Sequence, residues 1–275
     1  MAVELAQLIE SFEKLWPLAG AESWDAPGLV AGSASKRISR VLLSVDVTYE
    51  VISEAKYGEF DLVLAHHPFL LKGITSLSEG TSKGSTLANA IRSDIAIYAA
   101  HTNADIVEKG VSHVLAESLG IQNAVPLVDS GLGESGQGHG RIGDLVSPMK
   151  LGDFARLIAK SLPSTATGVR VSGDFEQPVQ KIAVCGGAGD SFIGVAIAAG
   201  ADVYVTSDLR HHPTQDAREH AFLNNGKPAL IDVAHWASEW LWLEIASEQL
   251  ARKFPNIQFV VSHIRTDPWD FVVTQ

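Results

Sequence analysis

The sequence predicts an α/β protein made of two similar α/β lobes related by internal duplication, with a metal site at their junction. Strand-like apolar runs alternate with helix-like runs along the whole chain, a pattern typical of parallel sheets with helices between the strands. A His-His-Pro triplet occurs once in each half, at 66–68 and 211–213. In each half a later apolar run ends in a histidine followed four residues on by an acid, His101 with Asp105 and His235 with Glu239.

The predicted elements follow the same order in both halves. In the first half, the strands are 40–47, 61–67 and 95–101, and the helices end near 58 and cover 84–93 and 108–119. In the second half, the strands are 181–187, 202–208 and 228–235, and the helices are 191–199, 214–224 and about 237–253. Apolar residues at helical spacing between Leu5 and Trp16 predict a further helix at the start, and a strand is expected at 257–263.

The expected domains are a first lobe at 1–128 and a second lobe at 142–275, joined by a Gly-rich connection at 129–141. A flexible linker is the preferred interpretation of this connection, and a mobile lid is the alternative. Because sites in parallel α/β sheets form beyond the carboxyl ends of the strands, we expect all four histidine motifs to lie at such ends.

The composition excludes some classes of protein. The net charge of −11 is unfavourable for holding duplex nucleic acid, whose phosphates need clustered Lys and Arg, although a few local groups can still hold a nucleotide. The single cysteine, Cys185, cannot form an internal disulfide, which favours a reducing compartment. The longest apolar stretch, around 192–205, is too short and too interrupted to span a bilayer. We therefore expect a cytoplasmic protein with no membrane association.

The first triplet is a candidate metal-binding motif. His66 and His67 follow a strand-like run, and Pro68 biases the preceding backbone away from helix, so that both rings can turn toward one pocket. The alternative is a pair of strand-terminal histidines with ordinary hydrogen bonds. The duplication and the downstream acids favour metal binding, since imidazole and carboxylate are common ligands of divalent transition metals.

The histidine–acid pairs supply further candidate ligands. His235 and Glu239 begin a predicted helix and share one of its faces, so they can bind one ion, or the carboxylate can bridge two. In the other pair, Asp105 is the better ligand candidate. His101 is a candidate for proton transfer or for orienting a ligand.

Two further motifs have open interpretations. His211 and His212 are candidates for proton transfer or substrate binding, with a structural role as the alternative. The turn CGGAGDS at 185–191 is compatible with a phosphate cradle at a helix N-terminus, and equally with a tight structural turn. Cys185 has no neighbouring base, and no Gly-x-Ser-x-Gly motif occurs, so a nucleophilic Ser or Cys mechanism has little support.

Taken in order, the motifs resemble those of the Nif-three-like family, whose members are described as dinuclear-metal hexameric proteins and are often labelled GTP cyclohydrolase I type 2 homologues. The resemblance extends over nearly the whole chain, through ESWDAPGLVAG, SVDVT, LAHHPFL, AHTNAD, RIGDL, CGGAGDS, TSDLRHHPTQDA and DVAHWASE. One departure is Ala26, which stands where the family usually has asparagine, so any role of that asparagine does not carry over. The chain has no long domain inserted between the halves and so resembles the compact form of the family.

The resemblance implies a set of metal ligands that agrees with the candidates taken from the residues. It implies that His67 and Asp105 bind one ion, that His66 and His235 bind the other, and that Glu239 bridges them. It also implies a ring-shaped homohexamer with the metal sites facing an internal cavity. The ligands include no thiolate, so the two divalent ions can be Zn, Fe, Mn, Co or Ni.

Two hypotheses for the function follow. The first is a metal-dependent hydrolase that acts on a small-molecule substrate, either a nucleotide or a phosphoester or cyclic amide, with His101, His211 or His212 as proton-transfer groups. The second is a non-catalytic ring protein that binds or delivers metal or acts as a scaffold. Both predict metal binding, and they differ in whether the metal site turns over a substrate.

Overall fold

The chain divides into two compact units. The computed structural model describes residues 2–132 and 136–274. The first unit consists of the residues up to Ala104 together with Leu243–Thr266, and the second consists of Asp105–Trp242 together with the residues after Thr266. These two units are described separately below.

The secondary structure is mixed. The strands are β1 (Val3–Glu4), β2 (Gly28–Ala31), β3 (Arg37–Ile38), β4 (Arg40–Ser44), β5 (Leu62–Ala65), β6 (Ala96–Ala99), β7 (Gln122–Val125), β8 (Val128–Asp129), β9 (Gly138–His139), β10 (Arg141–Lys150), β11 (Arg170–Ser172), β12 (Pro178–Ala188), β13 (Val203–Ser207), β14 (Ala229–Val233) and β15 (Gln258–Val261). The helices are α1 (Leu5–Leu15), α2 (Tyr49–Tyr57), α3 (Ser82–Arg92), α4 (Thr102–Asp105), α5 (Val111–Ser118), α6 (Leu151–Ser161), α7 (Ile193–Ala198), α8 (His211–Leu223) and α9 (His235–Lys253). Within the described part of the chain, no helix has the length and hydrophobicity needed to cross a bilayer.

The first unit contains a five-stranded sheet in the order β15-β4-β5-β6-β2. Its first four strands are parallel, and β2 pairs antiparallel with β6 at the edge. The residues of β5 and β6 are all buried, as expected for parallel strands covered on both faces. Helices α2 and α3 pack on this sheet and place Val51 and Leu87 against Leu42 and Val63 in one apolar core.

The second unit contains a six-stranded sheet in the order β11-β14-β13-β12-β10-β7. Strands β12, β13 and β14 are parallel, whereas β10, β7 and β11 pair antiparallel with their neighbours. The core of this unit includes Ala183 and Tyr204 from the parallel strands, with Ile193 of α7 and Ala217 of α8. Parallel strands joined by helices therefore form the centre of both units.

The structure confirms the α/β class and the predicted order of strands and helices. The histidine motifs all follow the carboxyl ends of strands, but the second triplet is the furthest from its strand, because His211 lies four residues after β13 and begins α8. Strand β13 ends at Ser207, and the chain turns through Asp208, which has a left-handed φ of 55°. Pro213 is compatible with the first turn of a helix, where backbone N–H groups have no partner within the helix.

Strand pairing sets the limits of the units, and these limits differ from the expected lobes 1–128 and 142–275. Strand β15, near the end of the chain, pairs with β4 in the first unit. Strand β7, which precedes the Gly-rich segment, pairs with β10 in the second. Of the expected connection 129–141, residues 133–135 lie outside the described residues, and on either side of them β8 pairs with β9.

One hydrogen-bonding arrangement recurs in the two units. The backbone N–H of Asp61, just before β5, donates to the carbonyl of Arg40 (2.9 Å), and the Asp61 carboxylate accepts from the Arg40 N–H (3.0 Å). Asp202, just before β13, makes the same two bonds with Lys181, at 2.7 and 2.9 Å. The match supports internal duplication, which stays a prediction.

Candidate metal centre

Three of the predicted site histidines lie together in the first unit. His66 and His67 follow β5 directly, and His101 lies two residues after β6. Because β5 and β6 are parallel neighbours, their carboxyl ends meet at one edge of the sheet. One ring nitrogen from each histidine lies within 4.8 Å of the others, and the ring centroids are 5.0 to 5.4 Å apart. The fold thus produces a three-imidazole cluster.

Hydrogen bonds at Nδ1 fix the tautomer of the two adjacent histidines. Nδ1 of His66, which is fully buried, lies 2.9 Å from the carbonyl oxygen of Ala100. Nδ1 of His67 lies 2.8 Å from Oδ1 of Asp46. Because a carbonyl or carboxylate oxygen can only accept, Nδ1 carries the proton in both neutral rings and Nε2 carries the lone pair. This is the usual arrangement of histidines that bind metal through Nε2.

His101 is oriented in the same way by Asp25, which is 76 residues away in the sequence. Its Nδ1 lies 2.8 Å from Oδ1 of Asp25, and the other oxygen of Asp25 accepts from the Thr102 backbone N–H at 3.0 Å. Burial opposes ionisation of this carboxyl, but the hydrogen bonds from His101 and Thr102 outweigh it and lower the pKa of Asp25 to about 2. Asp25 is therefore ionised at neutral pH and holds the His101 ring in one orientation.

The second unit holds a histidine–glutamate pair at the start of α9. His235 Nε2 lies 3.0 Å from Oε1 of the buried Glu239, and His235 Nδ1 lies 2.8 Å from Oδ2 of Asp208. Burial disfavours charge on this imidazole, but the carboxylates of Glu239 and Asp208 outweigh it and raise the pKa of His235 from 6.5 to about 11. Two carboxylates thus favour a positive charge at this position, which suits a cation as well as a proton.

The backbone beside this pair leaves room for a small ion. Gly187, near the end of β12, has a left-handed φ of 70°. A Cβ at Gly187 would lie 2.5 Å from Glu239 Oε1 and 3.3 Å from His235 Nε2. Any side chain here would displace the carboxylate or occupy the space beside it. With imidazole and carboxylate donors, this space fits a divalent metal ion.

Asp105, the remaining ligand candidate, is the last residue of α4 and lies in the second unit. Its carboxylate interacts with the guanidinium of Arg141. Burial lowers the pKa of Arg141 to about 10, and the negative charge of Asp105 partly opposes this effect. Arg141 is buried and donates to the carbonyls of Gly138 (2.6 Å) and Val107 (2.9 Å). Arg141 therefore ties the Gly-rich segment to the backbone that follows Asp105.

The second triplet is separate from these clusters. His211 and His212 are exposed at the start of α8, with ring centroids 5.2 Å apart. Among the described residues, groups of three close potential ligands include neither of them, nor Asp105. His211 instead lines a cleft of the second unit.

Sequence analysis missed the carboxylates that orient the imidazoles, namely Asp25, Asp46 and Asp208. Each lies in a motif that carries the family resemblance, ESWDAPGLVAG, SVDVT or TSDLRHHPTQDA. Their presence in these motifs was the one feature of the sequence that could have identified them as site residues. Their sequence positions do not indicate which imidazole each one contacts.

Fold and site together define an α/β protein with histidine and carboxylate clusters that could hold a metal ion. The chain belongs to the family described as Duf34/NIF3 (NGG1p interacting factor 3), whose model matches residues 3–268. It is 43% identical over 270 residues to a Streptomyces coelicolor protein named "GTP cyclohydrolase 1 type 2 homolog", covering 96% of this chain and 93% of the relative. A Clostridium perfringens protein of the same name is 33% identical over 271 residues, covering 98% of this chain and all of the relative.

A solved structure confirms the fold. The crystal structure of a Bacillus cereus protein related to NIF3 superposes with a TM-score of 0.89 at 26% sequence identity. The match covers 99% of this chain and 100% of that one. Both α/β units therefore have counterparts in a solved member of the family.

Proposed function

We propose that this protein is a hydrolase dependent on two divalent metal ions, with His66, His67, Asp105, His235 and Glu239 as the ligands. The observation that carries the proposal is the orientation of the imidazoles. Nδ1 of His66, His67 and His235 lies within 2.9 Å of a carbonyl or carboxylate oxygen, so that Nε2 is the nitrogen suited to a metal.

The ligand types suit a catalytic site better than a closed structural one. The set contains imidazole and carboxylate without thiolate, which is compatible with Zn, Fe, Mn, Co or Ni. Five ligands shared between two ions leave coordination positions for water and substrate. When bound, two divalent ions supply Lewis acidity and the charge needed to generate a nucleophile from water at neutral pH.

His101 is the proposed proton-transfer group. It lies beside His66 and His67, and Asp25 holds its Nδ1, so that Nε2 can accept a proton from the attacking water. The ionised Asp25 stabilises the resulting imidazolium and keeps the ring in one orientation. The substrate class is a nucleotide, a phosphoester or a cyclic amide, and the name shared by the relatives supports the nucleotide.

We further propose, on the family resemblance, that the protein is a cytoplasmic homohexamer with the metal sites facing an internal cavity. Sedimentation velocity measures the assembly directly. A stable monomer at micromolar concentration would contradict the hexamer and leave the metal ligands unaffected, because one chain supplies all five.

The hydrolase is tested with metal-stripped protein to which single metals are added back, screened against nucleotides, phosphate esters and cyclic amides. We expect metal-dependent turnover that His67→Ala lowers by at least about 100-fold. The control is His113→Ala, because His113 lies in α5, pairs with the exposed Glu117 at 3.3 Å and is not a proposed ligand. Metal-loaded protein that turns over none of these substrates would instead support a non-catalytic metal-binding or scaffold protein.

A further inference from the structure

A cleft in the second unit lies between the edge strand β11, strand β14 and the start of α8. Its volume of 450 Å³ is within the range of about 300–1,000 Å³ that is usual for small-molecule sites. Arg170, His211 and Arg218 all line it. None of the residues that line it is a proposed metal ligand.

The charge in this cleft is opposite to that of the whole chain. The protein has a net charge of −11. The cleft is lined by two guanidinium groups, Arg170 and Arg218, and by one carboxylate, Asp232, so its formal charge is 2 − 1 = +1 before any proton on His211. A concave surface with this excess of positive charge attracts an anion. The excess stands in contrast to the negative net charge of the chain.

One of the two arginines is held in place and the other is available. The buried Asp232 pairs with Nη2 of Arg170 and accepts from the Leu209 backbone N–H at 3.1 Å. A guanidinium has five N–H donors, so this pair fixes Arg170 while leaving donors for a ligand. Arg218 forms no ion pair within the part of the chain that the structure describes.

The rest of the lining is partly polar, through Ser172, Thr214 and Gln215, and partly apolar. Val171, Leu209 and Leu230 all line the cleft, and Val171 is 42% exposed. An apolar wall beside two guanidinium groups matches a ligand with a flat or apolar body and a dianionic end. Guanidinium groups bind phosphate oxygens through paired hydrogen bonds.

We propose that this cleft binds the phosphate group of a phosphate monoester and that this phosphate positions the substrate without being the group that reacts. The role in catalysis rests on the proposed hydrolase, but the binding does not. Leu209 lines the cleft, and its neighbour Asp208 orients His235. Binding energy from a remote, unreacting phosphate can then be used to orient the rest of the substrate toward the proposed centre.

The proposal also assigns a role to the second triplet. His211 is the first residue of α8 and lines the cleft beside the arginines. It is therefore a substrate-binding group, one of the two roles that the sequence left open.

The test is calorimetric titration of the full-length protein with phenyl phosphate, both as purified and after treatment with a chelator. We expect saturable binding in both samples, and Arg218→Gln should weaken it at least about tenfold. Arg210→Gln is the matched control, because Arg210 precedes the same helix and is equally exposed, but pairs with Asp190 and does not line the cleft. It should change the affinity by less than about twofold.

Absence of saturable binding, or equal losses in Arg218→Gln and Arg210→Gln, would overturn the proposal. Binding that disappears with the chelator would also overturn it, because the phosphate would then be held by metal. Binding that survives chelation in a protein without hydrolytic turnover would support the cleft and contradict only the hydrolase. Arg218 is exposed, so its replacement leaves the fold intact.

Discussion

At the scale of the residue, Asp208 orients the imidazole of His235 but is not itself a proposed metal ligand. Replacing Asp208 therefore tests the effect of orientation alone. Asp208→Asn keeps a side chain that tolerates the left-handed φ of 55° but removes the charge that holds His235 Nδ1. We expect metal affinity to fall on the order of tenfold, as for other groups that orient ligands. Metal titration measures this effect. Asp190→Asn removes a carboxylate that pairs with Arg210 and should leave the affinity unchanged; equal losses in both variants would contradict the assigned role.

Gly187 tests whether the space beside His235 and Glu239 is needed. Gly187→Ala should destabilise the protein and weaken metal binding, because its Cβ would lie 2.5 Å from Glu239 Oε1. Gly200→Ala is the control, since Gly200 has the same φ of 70° but no atom within 4 Å of a Cβ. It should cost about 1 kcal/mol from backbone strain alone. Urea denaturation measures the free energy of unfolding, and metal titration measures the affinity. Equal losses of stability and of affinity in the two variants would contradict the role of this space.

The candidate ligands could be found from the sequence because imidazole and carboxylate are chemically distinctive and recur in both halves. The orienting residues could not be assigned in this way. Asp25, Asp46 and Asp208 lie 76, 21 and 27 residues from the histidines that they contact. Only the strand order brings each pair together. An aspartate in a turn also has an ordinary structural explanation, so Asp25 was not distinctive in the sequence.

At the scale of the element, the parallel strands were predictable because strands buried on both faces are continuous apolar runs. Strand β10 was missed, since polar and exposed residues fill its second half. Strand β7 was missed because it is a short edge strand with a largely exposed sequence, QNAV. The triplet 211–213 was interpreted by analogy with 66–68, but the two differ locally. His66 and His67 continue the hydrogen bonding of β5 to Ser44 and Val45 at the end of β4, whereas His211 begins α8.

Asp202 ties the start of β12 to the start of β13, and its contribution should depend on pH. Burial opposes its ionisation, but Lys227 and the backbone N–H groups of Lys181 and Gln180 outweigh it and hold the pKa of Asp202 below its ordinary 3.8. The folded state therefore gains stability from this carboxylate above pH 3.8 and loses it as the pH falls through the lower folded pKa. Asp202→Asn should cost about 1 kcal/mol at pH 7.

Urea denaturation of wild type and Asp202→Asn at a series of pH values measures this difference. The difference should narrow as the pH is lowered toward 3. Asp216→Asn, in the exposed face of α8, should change stability by less than about 0.5 kcal/mol at every pH. A difference for Asp202→Asn that is independent of pH would show that the charge contributes nothing.

At the scale of the whole molecule, the proposed ligands are drawn from both compact units. His66 and His67 belong to the first unit, and Asp105, His235 and Glu239 belong to the second. The matching hydrogen bonds of Asp61 and Asp202 are those that an internal duplication would produce, and the duplication stays a prediction. The hexamer and the dinuclear centre are proposals that rest on the family resemblance, and neither can be derived from the order of strands and helices in a single chain.

The number of metal ions per chain tests the central claim most directly. Purified protein reconstituted with excess Zn or Mn, freed of unbound metal and analysed by plasma mass spectrometry, should contain about two equivalents per chain. Glu239→Gln should lose more metal than His66→Ala, because a bridging ligand holds both ions. A wild-type ratio that never exceeds about one would contradict the dinuclear centre, and equal losses in the two variants would contradict bridging by Glu239.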